Sequence, residues 1–285
     1  MKPLFQTKPL MRVALRISGV LAALFLSACA TTEQAADSAP DISTSAWARL
    51  SQADGVATEK PSQWLHFTLP GKQPNTYRPA KHDGRDAVRV QSDAAISVVR
   101  QRVLVPPHEL GSIKFSWKVP QLIATADLAV RELSDSPVRL VLAFDGDRSR
   151  FSAKNSMLSE LSHVLTGEPM PYATLMYVWC NQCARESVIH NTRTDRIQKI
   201  AIESGSKNLN QWLDYERDIR ADFQKAFGEA PGTLVGIGIM TDTDNTRSAA
   251  SAWYGKVQLV QQGRAVQPPK SADKVEPLNT LTSAK

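Results

Sequence analysis

Residues 240–259 read MTDTDNTRSAASAWYGKVQL and bring Asp242, Asp244 and Asn245 within four positions of one another. Three kinds of chemistry suit that spacing. The side-chain oxygens are hard ligands of the kind calcium takes. Two close carboxylates shift each other's pKa and so suit an acid and a base. Asx side chains also satisfy the backbone of their own turns. An EF-hand is excluded, because a loop opening at Asp242 would need glycine sixth and glutamate twelfth, where Arg247 and Trp253 stand. A calcium site of another kind at Asp242 and Asp244 remains open. On one strand face the two carboxylates would lie about 5 to 7 Å apart, near the spacing of retaining glycosidases. Any Asp-x-Asp strand shares that spacing, and Asn245 with Thr246 favours the turn.

A second polar cluster lies in VIHNTRTDRIQKI, where Arg193 and Arg196 could clamp a carboxylate in bidentate fashion. The plainer alternative is a solvated loop with local pairing to Asp195. His190 beside Cys183 is a weak nucleophile pair, since a disulfide would consume the thiol. Among the aromatics, Trp179, Tyr177, Trp253 and Tyr254 are candidates for stacking on sugar rings. Trp253 shares its alternation with Val257 and Leu259 and is expected inside, which leaves Tyr254 as the surface ligand contact. Gly236 and Gly238 alternate within a strand in VGIGIM, where a missing side chain lets a ring or ligand approach. The chain has no G-x-S-x-G elbow, no H-E-x-x-H, no phosphate-binding G-x-x-x-x-G-K-[ST] and no dinucleotide G-x-G-x-x-G.

The elements that must hold these residues are mostly strands. SIKFSWKV alternates Ile113, Phe115, Trp117 and Val119 with polar residues, so one face is buried and the other wet. PVRLVLAFD and ATLMYVW alternate in the same way. Further strands are expected at 87–90, 96–105, 197–203, 213–219, 234–241 and 254–260. Many short strands between Gly, Pro, Asp and Asn turns predict a mainly β, antiparallel β-sandwich. Two short helical insertions interrupt it. NSMLSELSHVL puts Met157, Leu158, Leu161, Val164 and Leu165 on one face with Asn155 or Ser156 as cap, and His163 lies off that stripe. RADFQKAFGE spaces Phe223 and Phe227 for a helix stopped by Gly228.

The ends read differently. Arg12 and Arg16, an apolar run from Ile17 to Leu26 and the box Leu26-Ser27-Ala28-Cys29 form a lipoprotein leader over residues 1–28, with Cys29 as the lipidated residue. Ten apolar residues are about half the length of a membrane span. Residues 29–46 read as a flexible tether, 47–261 as one domain and 262–285 as a polar tail. The expected location is the bacterial envelope, on the outer membrane facing the periplasm. The leader carries four cations, so Lys+Arg falls from 34 to 30 against 28 acids, and the net charge falls from +6 to +2. Nucleic acid is therefore a disfavoured partner. In an oxidising compartment Cys180 and Cys183 are expected to pair. A metal site would need two more ligands, and a redox pair would open a helix.

LMYVW at 175–179, TDRIQKIAIESG at 194–205, DFQKAFGE at 222–229 and GIGIMTDTDNTRSAASAWYGKV at 236–257 resemble blocks of the bacterial exported proteins grouped as DUF3047. The resemblance spans roughly residues 60–260. It implies a jelly-roll sandwich of carbohydrate-binding or galactose-binding type and carries no established activity or catalytic residues. The expected function is a lipid-anchored, non-catalytic module that binds a glycan or other envelope ligand through Asp242, Asp244, Asn245, Tyr254, Arg193 and Arg196. A glycan hydrolase or lyase using Asp242 and Asp244, and a structural lipoprotein with protein partners, are the alternatives.

Overall fold

The computed structural model describes residues 41–51 and 63–260. The leader, Cys29 and the tail from 262 lie outside the described residues. Among the described residues twelve strands and three α-helices follow in order. The strands are β1 Leu65–Thr68, β2 Thr76–His82, β3 Arg85–Asp93, β4 Ile96–Val105, β5 Ser112–Lys118, β6 Ser136–Phe144, β7 Ala173–Cys180, β8 Val188–His190, β9 Ile197–Ser204, β10 Leu213–Asp218, β11 Leu234–Asp242 and β12 Ala249–Val260. The helices are α1 Ala46–Leu50, α2 Ala153–Thr166 and α3 Ile219–Phe227.

Two sheets face each other, one ordered β1-β4-β11-β6-β7-β9-β8 and the other β10-β5-β12-β3-β2. Their centres are the quartets β4-β11-β6-β7 and β10-β5-β12-β3, and the chain passes from sheet to sheet as it runs β3, β4, β5, β6 and again β10, β11, β12. That strand order is a jelly roll, the double-sheet solution in which two Greek keys share one core. Strands β1, β2, β8 and β9 widen the two sheets. One pairing departs from the antiparallel expectation: β9 runs parallel to β7, because the segment between them crosses over and turns back through β8.

The inward faces of both sheets make the core, with Ile113, Phe115 and Trp117 of β5 against Leu140, Leu142 and Tyr177 of β6 and β7. Strand β7 is buried along its whole length. Leu175, Tyr177 and Trp179 enter the main core, while Met176, Val178 and Cys180 on the other face pack with Leu128 and with Ile189 of β8.

Strand β12 reverses one expectation. Its pairing with β5 slips between Tyr254 and Val257, so that three residues of β12 span two of β5. The extra residue flips the parity. Tyr254 therefore joins Val257 and Leu259 in the core, 1 % exposed, and Trp253 faces outward. The Tyr254 hydroxyl donates to Met240 O at 2.5 Å and accepts from Arg139 N at 3.2 Å. Gly255 sits in the bulge, where a Cβ would lie 2.1 Å from Ser116 Oγ.

The expected tether ends earlier than residue 46. Asp41 caps a turn at Ile42–Thr44, Ser45 caps α1, and Ile42 and Trp47 are buried. Trp47 Nε1 donates to Gly255 O at 2.8 Å and Val257 N donates to Ser51 Oγ at 3.0 Å, so this segment fastens onto the bulge.

Helix α2 forms as predicted in place but with its faces exchanged. Ser152, one turn before the expected caps, accepts from Asn155 N, and Gly167 ends the helix in the left-handed region at φ 76°. Met157, Leu161, Val164 and Leu165 are 64, 52, 81 and 57 % exposed, whereas Asn155 and Ser159 are buried. Polar bonds orient the helix. Asn155 Nδ2 donates to Asp195 Oδ1 at 2.7 Å and Thr194 Oγ1 donates to Asn155 Oδ1 at 2.7 Å.

These two reversals are testable together by urea denaturation. Tyr254→Phe leaves buried backbone groups unpaired and should cost about 1–3 kcal/mol. Val164→Lys should change stability by no more than about 0.5 kcal/mol, as a substitution in solvent does. Large destabilisation by Val164→Lys would place the apolar stripe inside after all.

Candidate functional site

The outer face of the seven-stranded sheet has a covered half and an open half. Over β7, β9 and β8 its own residues Met176, Val178 and Ile189 pack with Leu128, which comes from the loop before β6. Over β4, β11 and β6 it forms a trough of about 640 Å³, floored by Val98, Gly236, Gly238, Val141 and Ala143. Ile237 and Ile239 point to the core, so the alternating glycines face the trough. A Cβ on Gly238 would lie 2.8 Å from Val98 Cγ2, so close packing fixes that glycine. At Gly236 the nearest atom is 3.5 Å away, which is ordinary contact, and a side chain there would enter the trough itself.

The trough's wall is built by the end of α2. Ser162 Oγ and Thr166 Oγ1 each donate to Glu168 O at 3.0 Å, and Thr166 Oγ1 accepts from Glu168 N at 3.1 Å, which holds Glu168 beside the helix end. Its carboxylate takes both arms of the Arg100 guanidinium at 2.9 Å and a further bond from Arg102. Arg100 also lies over the Phe67 ring, 4.2 Å from its centre. Arg148 pairs with Asp145 at 2.8 Å at another edge.

Beyond Leu69, which lines both spaces, the trough meets a polar pocket of about 160 Å³. Asp242, Asp244, Asn245 and Arg193, four of the residues expected from the sequence, line it together with Lys72, Arg131, Arg139, Asn191 and Lys199. Arg139 of β6 and Asp242 of β11 form an ion pair at 2.7 Å with both side chains 5 % exposed. Arg139 also donates to Ser134 O at 2.7 Å, and Lys199 Nζ donates to Ser134 Oγ at 3.0 Å. Asp242 Oδ1 and Arg139 Nε are buried with no hydrogen-bond partner among the described residues. Burial pushes Asp242 up to about 8; the Arg139 guanidinium pulls against that only in part, and Asp244 and Asp135 add to the rise. Burial likewise pushes Lys199 down to about 8, with Arg139 beside it adding to the fall.

Asp135, a residue without a signal of its own in the sequence, organises the turn. Its Oδ2 accepts from Thr246 N at 2.8 Å and Thr246 Oγ1 at 2.6 Å, and its Oδ1 accepts from Asn245 Nδ2 at 2.8 Å. The turn is therefore capped from another loop rather than by its own Asx residues. Asp135, Asp242 and Asp244 each bring one oxygen within 4.8 Å of the others. Those carboxylates are already engaged: Asp135 by the turn, Asp244 by Lys72 and Asn245, and Asp242 through one oxygen by Arg139. A single free oxygen among three lining arginines and two lysines does not fit the six to eight oxygens of calcium.

Arg196 and Tyr254 are not part of the pocket. Arg196 pairs with Glu229 at 2.9 Å and lies over the Tyr172 ring, so it makes no clamp with Arg193. Tyr177, Trp179 and Tyr254 are all buried. Aromatics on the other sheet's side are already stacked: His82 lies parallel to Trp253 at 4.1 Å, and Arg85 covers Trp212 at 5.1 Å. Cys180 and Cys183 are bonded to each other just beyond β7, with Cα atoms 5.7 Å apart. The signal for the missed pocket residues was a charge inside an apolar strand, Arg139 in PVRLVLAF and Lys199 in IQKIAI, since such residues are seldom buried without a partner.

The family model "Protein of unknown function (DUF3047)" matches residues 62–258. The chain belongs to the DUF3047 family. That match takes in both sheets, the trough and the polar pocket. The comparison with curated proteins returned no match. Among solved structures, the family 11 carbohydrate-binding module of the Clostridium thermocellum cellulase Lic26A-Cel5E is similar at 9 % identity and a TM-score of 0.34, over 72 % of this chain and 92 % of the module. The xyloglucanase domain of NopAA from Sinorhizobium fredii, in complex with cellobiose, is similar at 10 % identity and a TM-score of 0.41, over 73 % and 97 %. The site is accordingly read from this chain's own geometry.

The raised pKa of Asp242 has a consequence for stability. Between about pH 4 and pH 8 the folded chain keeps a proton that the unfolded chain has released, so stability falls as pH rises through that window. Asp242→Asn should remove the fall, measured by denaturant unfolding at pH 5, 6.5 and 8. An unchanged pH slope would show that Asp242 is ionised throughout.

Proposed function

We propose that this is a lipid-anchored protein of the bacterial envelope whose jelly roll binds a glycan along the outer face of the seven-stranded sheet, without performing chemistry on it. The observation that carries the reading is the trough over Gly236 and Gly238. Its floor is flat and apolar, its volume of about 640 Å³ is that of a small-molecule site, and charged groups stand only at its edges. A sugar ring offers that combination, with apolar C–H faces for the floor and hydroxyls for Arg100, Glu168, Asp145 and Arg148. The floor presents no free aromatic ring, so affinity would come from close approach to small residues and from charge-assisted hydrogen bonds. The envelope location and the lipid on Cys29 rest on the leader of residues 1–28.

The test is isothermal titration of the mature protein with soluble neutral and acidic oligosaccharides, beside Gly236→Leu. The variant adds a side chain where a Cβ meets only ordinary contacts, and should weaken binding at least tenfold with an unchanged melting temperature. Undiminished binding would move the ligand elsewhere. Release of reducing ends that disappears in both Asp242→Asn and Asp244→Asn would replace binding by hydrolysis. Cys29→Ala should shift the protein from the membrane to the soluble fraction, and retention in the membrane would remove the lipid anchor from the reading.

A further inference from the structure

The polar pocket at the end of the trough has a charge pattern that the fold does not explain. Five cations line it, Lys72, Arg131, Arg139, Arg193 and Lys199, against the two carboxylates Asp242 and Asp244. Two of the five are paired, Lys72 with Asp244 and Arg139 with Asp242. Arg131 and Arg193 have no ion-pair partner among the described residues, and Lys199, 2 % exposed, has only the Ser134 hydroxyl. Burying a lysine without a carboxylate in hydrogen-bond contact is costly, and folding alone would favour an apolar residue at that position. The pocket also holds Asp242 Oδ1, a 3 % exposed acceptor with nothing to accept from. A surplus of donors for an anion beside one unfilled acceptor is the complement of an oxyanion with a hydroxyl next to it.

We infer that this pocket receives an oxyanion carried on a sugar, a carboxylate or a phosphate, held by Lys199 and Arg193, while Asp242 Oδ1 accepts from a neighbouring hydroxyl. A bare anion is a poorer fit, since it would leave Asp242 Oδ1 without a partner. The pocket's volume of about 160 Å³ equals the share of roughly five waters at ~30 Å³ each, room for one sugar unit and not for a chain. The inference rests on the trough reading for the remainder of the ligand. Together they make the ligand an acidic glycan with its charged unit at the Asp242 end.

Isothermal titration with trigalacturonate, its fully methyl-esterified form and glucose 6-phosphate tests this, using the wild type, Lys199→Gln, Arg193→Gln and Gly236→Leu. The wild type should bind the acid at least tenfold more tightly than the ester. Lys199→Gln and Arg193→Gln should each remove most of that preference and leave ester binding as it was. Arg193 is exposed, so its variant reads the pocket even if Lys199→Gln fails to fold. Tighter binding of glucose 6-phosphate than of the uronate, lost in Arg193→Gln, makes the oxyanion a phosphate and upholds the pocket. Equal affinity for acid and ester in the wild type overturns the pocket and leaves the trough standing. Acid binding lost in Arg193→Gln but untouched by Gly236→Leu upholds the pocket and overturns the trough. No binding of any of the three probes overturns both.

Discussion

The structure depends on one buried contact, between the Arg139 guanidinium and the Asp242 carboxyl group. Arg139 and Asp242 join β6 to β11, two central strands of the long sheet, at the point where their register slips between Met240 and Asp242. Removing Asp242 would cost about 3–5 kcal/mol, because the Arg139 guanidinium would stay buried without its acceptor. Arg139 also donates its backbone N–H to Tyr254 of the opposite sheet and its guanidinium to the Ser134 carbonyl, so the pair ties together both sheets and the loop that carries Asp135. Asp135 then caps the turn from Asp244 to Thr246. The acid-rich turn between the last two long strands is therefore framework first. What remains for a ligand is the one carboxylate oxygen that the framework leaves unused.

The jelly roll explains why a site should form on this face. Its two inner faces are spent on the core, and the outer face of the long sheet is roofed only over β7, β9 and β8. Among the described residues nothing roofs β4 and β11, and the floor there is lowered by two glycines. Two adjoining spaces result, one broad and apolar-floored, the other small and cationic. Their division of labour follows from chemistry: area and close approach hold a ligand, and a buried charge selects it.

Much of the fold was legible because alternation is a direct signature of a sheet with one buried face. Ile96–Val105 is a strand over the same residues the pattern predicts, and β5, β6 and β9 match within a residue or two. Of the four edge strands β10 was legible, and β1, β2 and β8 were not. TYRPAKH of β2 buries few residues and carries little periodicity. Tyr254 and Trp253 exchanged places because a bulge inverts parity without any mark in the residue pattern. Helix α2 turned its apolar stripe outward because Asn155 found specific partners in Thr194 and Asp195, which no amphipathic count weighs. In the site, Asp242, Asp244, Asn245 and Arg193 converge as their types suggested. Arg196 and Tyr254 were drawn away by Glu229 and the core, and Lys199 and Arg139 come from strands distant in sequence.

The central claim is that the outer face of the long sheet, from Gly236 to Asp242, is the binding surface. Its most direct measurement is a map of backbone amide shifts in a nitrogen-15 labelled sample titrated with an acidic oligosaccharide. The account predicts shifts concentrated at Val98, Gly236, Gly238, Ala143 and Lys199, with the opposite sheet unmoved. Shifts gathered instead around His82, Trp212 and Trp253 would contradict it and transfer the site to the other face.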